Sequence, residues 1–94
     1  MSNNVVVHNT DEQRYEIHVD GILAGFTEAK EDGSDVVLFP HTVVFEQFEG
    51  QGLASELVAG ALDDIRVRDK KVVAQCPYVA RYIKKHSDYA DLLA

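Results

Sequence analysis

Thr42-Val43-Val44-Phe45, then Glu46-Gln47-Phe48-Glu49-Gly50-Gln51-Gly52, then Leu53-Ala54-Ser55 is the stretch on which the fold turns. The β-branched and aromatic run Thr42 to Phe45 reads as a strand. From Leu53 onward, Leu57, Val58, Ala61, Leu62 and Ile65 recur at helical spacing. A glycine loop therefore joins the end of a strand to the start of a helix. The first-turn N–H groups of such a helix have no internal partners, and its macrodipole adds partial positive charge. Gly50 and Gly52 can take positive φ and let the backbone approach a ligand closely. That cradle suits a phosphate or pyrophosphate. A tight turn that binds nothing is the competing reading.

Upstream, Val5-Val6-Val7 opens a first strand, and Tyr15, Ile17 and Val19 alternate with Glu16 and His18 in a second, half-buried one. Asp20-Gly21 is a two-residue hairpin turn into a third strand, Ile22 to Thr27. Lys30 to Ser34 makes another turn. A fourth strand follows from Asp35 to Val44, bent near Pro40, which cannot donate to a ladder. Downstream, the helix from Gly52 to Arg68 leads to a strand, Lys71 to Gln75, and Pro77 opens a second helix ending near His86. Strand, helix, strand implies a right-handed crossover and a parallel pair. The expected architecture is α+β: one mixed, mostly antiparallel sheet with two main helices, spanning residues 1–94 as one domain.

At 94 residues the chain is large enough for a core without disulfides or metals. Its single cysteine, the absence of a basic start with an apolar segment, and the absence of a long apolar run favour a cytoplasmic protein without a membrane span. The net charge of −7 is unevenly spread. Residues 1–65 set Arg14 and Lys30 against thirteen carboxylates, whereas residues 66–86 carry seven cations and Asp69 alone. An acidic total argues against a general nucleic-acid binder. The local basic segment fits a small polyphosphate anion. Arg81, Lys84 and Lys85 share one helical face and are its best candidates. Lys70 and Lys71 read as cations at a helix end.

The loop lacks the GxxxxGK[ST] of a P-loop and the early GxGxxG of a dinucleotide fold. It matches Q/R-x-x-G-x-G/A, the acyl-coenzyme-A pyrophosphate motif of the GNAT acetyltransferases. Gly50-Gln51-Gly52-Leu53-Ala54, with Val73-Ala74-Gln75-Cys76-Pro77-Tyr78-Val79 and Tyr82-Ile83-Lys84-Lys85-His86, resembles the small YjdJ-type group of that superfamily. The likeness covers roughly residues 5–89, and Cys76-Pro77-Tyr78 is its most specific part. It implies a minimal GNAT-like fold without the helices that larger members place between their first two strands. Here only Asn9 to Gln13 fills that gap, leaving the acceptor side open. It also implies that acetyl-CoA is the cofactor, that the two parallel strands splay, and that the pantetheine arm enters the opening. The cofactor contacts so implied run from Val43, Val44 and Phe45 through Phe48, Glu49, Gly50, Gln51, Gly52, Leu53, Ala54 and Ser55. Cys76, Tyr78, Arg81, Tyr82 and Lys85 complete them.

Acyl transfer to an amine requires loss of the amine proton, stabilisation of an oxyanion and protonation of the departing thiolate. Cys76, at the start of the second helix, is a candidate nucleophile or polarising thiol, since an electropositive helix end favours the thiolate. It also fits a small buried hydrophobe. His41 is a candidate general base, with a hydrogen bond in the sheet as its rival role. Glu46 ranks second as a base. The resemblance places Tyr82 near the cofactor sulfur as a proton donor, where core packing is the alternative. Larger relatives have asparagine near Cys76 and glycine at His86, so both positions depart from the common pattern. His8 and His18 read as surface residues, and the four histidines lack metal spacing. The function expected is acetyl transfer from acetyl-CoA to an amine, with a monomer plausible. A coenzyme-A-binding module without turnover and a plain interaction domain are the other readings.

Overall fold

Pro40 divides the expected fourth strand into Val36–Phe39 and Thr42–Val44, and the two pieces join different sheets. The computed structural model describes residues 3–94. In chain order its strands are Asn4–Asn9 (β1), Arg14–Val19 (β2), Ile22–Glu28 (β3), Lys30–Glu31 (β4), Val36–Phe39 (β5), Thr42–Val44 (β6) and Lys71–Ala74 (β7). Helix α1 spans Leu53–Val67 and α2 spans Pro77–Lys85. One sheet has the order β1-β2-β3-β6, with every pairing antiparallel. The other has the order β4-β5-β7, with β5 and β7 parallel. The expected single mixed sheet is thus two sheets hinged at Ala29 and Pro40. The hinge holds because the Glu28 N–H donates to the His41 carbonyl at 2.8 Å.

Local chemistry explains most of these elements. Asp20 and Gly21 both take positive φ, 50° and 83°, as a tight hairpin turn requires. Gly52, at φ 73°, precedes α1, and Pro77 is the first residue of α2. The six apolar positions read from the helical period are the buried ones of α1: Leu53, Leu57, Val58, Ala61, Leu62 and Ile65. They pack on Tyr15, Ile17, Val19 and Ala24 in one core, where full burial of a leucine is worth roughly 1.5–3 kcal/mol. Among the described residues no helix is long and apolar enough to cross a membrane.

Three local expectations change. Lys30 and Glu31, read as turn, form β4 against Leu38 and Val37. Two 3-10 turns, Glu46–Phe48 and Ser87–Leu92, lie in segments with no helical period. His8 and His18 are half-buried rather than on the surface. His8 stacks on Tyr15 with ring centroids 4.3 Å apart, and His18 Nε2 lies 3.0 Å from Glu16.

Glu16 itself breaks the alternation, being only 6% exposed on the sheet face opposite α1. The Nδ2 of Asn9 and the Nε of Arg14 donate to its Oε2 at 2.9 and 2.7 Å, and His18 meets its Oε1. Burial would raise this carboxyl, but the bonds from His18, Arg14 and Asn9 outweigh it and hold the group down at about 2. A carboxylate with a depressed folded value stabilises the fold above its unfolded value and loses that contribution as pH falls toward 2. Stability should therefore drop between pH about 4.5 and 2 by on the order of 2–3 kcal/mol from this group. Denaturant titrations should show that drop flattened in Glu16→Gln. An equal acid slope in the two proteins would refute the assignment.

Candidate functional site

After β6 the chain makes its 3-10 turn, passes Gly50 at φ 81° and Gly52 at φ 73°, and enters α1. The first main-chain bond of the helix is Glu56 N–H to the Gly52 carbonyl, at 3.3 Å. Among the described residues no main-chain acceptor takes the N–H groups of Leu53, Ala54 and Ser55 ahead of it. These donors border a cleft of ≈ 210 Å³ lined by Val44, Phe48, Glu49, Gly50, Gly52, Leu53, Ala54, Ser55 and Tyr78. Gln51 is exposed between the glycines, outside the lining.

A second cleft of ≈ 200 Å³ shares Ser55 and Tyr78 and continues along α2 past Arg81, Tyr82, Lys85 and His86. Together the two reach the lower part of the size range of small-molecule sites, about 300–1,000 Å³. Their cations are distinctive. Arg14, Lys30, Arg66, Arg68 and Lys70 all form ion pairs, and Lys71 Nζ donates to the Asp91 carbonyl. Among the described residues Arg81, Lys84 and Lys85 have no such partner, and of the three Arg81 and Lys85 line the cleft.

The floor is set by the parting of the parallel strands. β5 and β7 stay paired to Phe39 and Ala74, and Cys76 N–H still donates to the Phe39 carbonyl at 2.8 Å. Beyond Pro40, β6 follows β3 while the other chain turns into α2. His41 accepts from Glu28, and Phe45 N–H donates to the Ala24 carbonyl at 2.9 Å. In an antiparallel ladder these bonds alternate, so Val43 also faces β3, and the main-chain groups of Thr42 and Val44 face the opening. Val43 and Phe45 therefore commit their N–H groups to the sheet.

The cysteine is 5% exposed and packed into the core. Its Sγ lies 3.3 Å from Thr42 Oγ1, which lies 2.9 Å from Thr27 Oγ1. His41, read as a general base, immediately precedes β6, and alternation turns its exposed side chain to the face opposite Thr42. Tyr82 lies farther along the cleft. Burial raises its phenol and the Ser55 hydroxyl opposes this, while its ring packs on His86 with centroids 4.1 Å apart. Thus Cys76, His41 and Tyr82 are not gathered at one point. Thr42 and Thr27 were missed, although period-two alternation alone places Thr42 on the face of Val44.

A glycine loop opening a helix above a parted parallel pair defines the GNAT class of α+β fold. The chain belongs to the GCN5-related N-acetyltransferase family, whose model matches residues 14–92. The protein NATD1 of Gallus gallus is 33% identical over 54 residues, 57% of this chain and 49% of that one. The chain thus spans about half the length of this relative. A GCN5-like protein of Staphylococcus aureus solved by NMR superposes with a TM-score of 0.73 at 20% identity, covering 100% of this chain and 91% of its own. The aminoglycoside N-acetyltransferase AAC(6')-Iy, solved in complex with CoA, has a TM-score of 0.51 at 21% identity, covering 81% and 57%. These structural likenesses carry the fold.

Proposed function

We propose that the chain is an acetyl-CoA-dependent N-acetyltransferase acting on an amine. The observation that carries this reading is the continuity of the two clefts. They join three first-turn amides to Arg81 and Lys85, which, like those amides, have no partner among the described residues. The amides of Leu53 to Ser55 hold the pyrophosphate, with Gly50 and Gly52 setting the loop. Arg81 and Lys85 meet the remaining phosphate of the nucleotide. The main chain of Thr42 and Val44 bonds the pantetheine amides, and the Val44 N–H supplies the oxyanion donor.

Cys76 Sγ attacks the thioester carbonyl, a new S–C bond forms, and the S–C bond to coenzyme A breaks. The thiol proton ends on the departing sulfur. An amine then attacks the acetyl-cysteine, its proton passes to a base, and the Cys76 thiol is restored. The acidic surface of residues 1–65 favours a cationic acceptor. The near-complete burial of Cys76 favours a second reading, a coenzyme-A-binding module without turnover.

Incubation with acetyl-CoA should add one acetyl mass to the protein, removed by hydroxylamine and absent from Cys76→Ala. Acetyl transfer to a panel of amines should fall at least about a hundredfold in that variant. An unmodified protein with transfer intact in Cys76→Ala points to direct transfer. Binding without transfer supports the module, and no binding overturns both.

A further inference from the structure

We infer that Thr42, backed by Thr27, is a positioning residue that donates a hydrogen bond to the Cys76 sulfur and holds it in its reactive form. Its relevance to catalysis rests on the proposed role of Cys76. The hydrogen-bond chain does not.

The direction of the chain follows from proton counting. A hydroxyl carries one hydrogen and accepts two. Thr27 is fully buried on β3, and among the described residues the only partner of its hydroxyl is Thr42 Oγ1 at 2.9 Å. If Thr42 donated to Thr27, the Thr27 hydrogen would be left unpaired in the core, which is costly. Thr27 therefore donates to Thr42, and the single hydrogen of Thr42 is directed at Cys76 Sγ, 3.3 Å away. Sulfur so placed is an acceptor, and that bond strengthens when the acceptor is charged.

The fold fixes all three groups. Thr27 and Thr42 are direct partners in the β3–β6 ladder, so their side chains share a face. Cys76 is the residue before Pro77, tied by its N–H to Phe39 where the parallel strands part. The two chains that separate to open the cleft are thus cross-linked at its root by Thr42 and Cys76. The first turn of the nine-residue α2 adds its dipole to the same sulfur. Among the described residues no carboxylate or cation is bonded to any of the three side chains, so the bond acts on the thiol without a competing charge.

The test reads the thiolate directly. Cys76 is the only cysteine, so ultraviolet thiolate absorbance against pH, with Cys76→Ala as baseline, follows it alone. The midpoint should rise by about one pH unit in Thr42→Val and return toward wild type in Thr42→Ser. Because Thr42→Val strands the Thr27 hydrogen, the double variant Thr27→Val with Thr42→Val removes both partners and should fold while keeping the raised midpoint. An unchanged midpoint in the folded double variant, or failure of serine to restore it, would overturn the inference. Loss of coenzyme binding or transfer in the wild type would sink the proposed function while leaving the titration result standing.

Discussion

Replacing Gly25 by alanine should lower the melting temperature by about 10–20 °C, the largest stability loss expected from any single methyl in this chain. A Cβ at this position would lie 2.5 Å from the Val43 carbonyl oxygen and 3.0 Å from the Val44 Cα. Both atoms are main chain, so no side chain can swing aside to make room. Gly25 is held from both sides, paired with Ile17 on β2 and with Val44 on β6. A register shift between Ile17 and His18 sits beside it, and Ala24, the extra residue there, is fully buried. The strain must fall on β6, since that strand has three residues and no partner on its other edge. Pushing β6 away would also move Val44 and Thr42, which line and brace the cleft. Gly25→Ala should therefore weaken coenzyme binding as well as the fold. Thermal unfolding of Gly25→Ala beside the wild-type protein is the measurement. Equal melting temperatures for Gly25→Ala and wild type would refute the argument.

The long elements were legible because their patterns repeat. Helix α1 has four turns of apolar spacing, and β2 and β3 are joined by a turn whose two residues both need positive φ. The hinge at Pro40 was legible only as a bend. A proline marks where a ladder is interrupted, but which sheet each half joins depends on β7, more than thirty residues away. The short β4 and the two 3-10 turns carry no period at all. At the site, the glycine loop and the α2 cations were legible because backbone permissiveness and helical spacing are local. The partners of Cys76 were not. Residue chemistry favoured His41 as a general base, the role that imidazole most often fills. The ladder places Thr42 on the thiol instead, and a threonine offers no titration to attract notice. Glu16 shows the same limit. Alternation marked it as exposed, and only Asn9, Arg14 and His18 closing over it made burial tolerable.

Gly50→Val should weaken binding of coenzyme A by about ten- to a hundredfold, the equivalent of roughly 1–3 kcal/mol of backbone strain. The residue sits at φ 81°, a region closed to β-branched side chains. Open space surrounds its missing Cβ, so the cost in the free protein is conformational rather than a clash. To relieve it, the loop must leave the left-handed region, and the Gly52 hinge and the amides of Leu53 to Ser55 would shift with it. Strain alone also destabilises the fold, so the comparison must separate the two effects. Gly33 does this, because it takes φ 92° in the turn between β4 and β5, also with nothing within 4 Å. Gly33→Val should lose similar stability and keep full affinity. Titration calorimetry on the two variants, with chemical-shift mapping on wild type, then reads the loop itself. Selective loss in Gly50→Val, with shifts centred on residues 50–55, is the expected result. A folded Gly50→Val protein that binds as tightly as Gly33→Val would remove the glycine loop from the site.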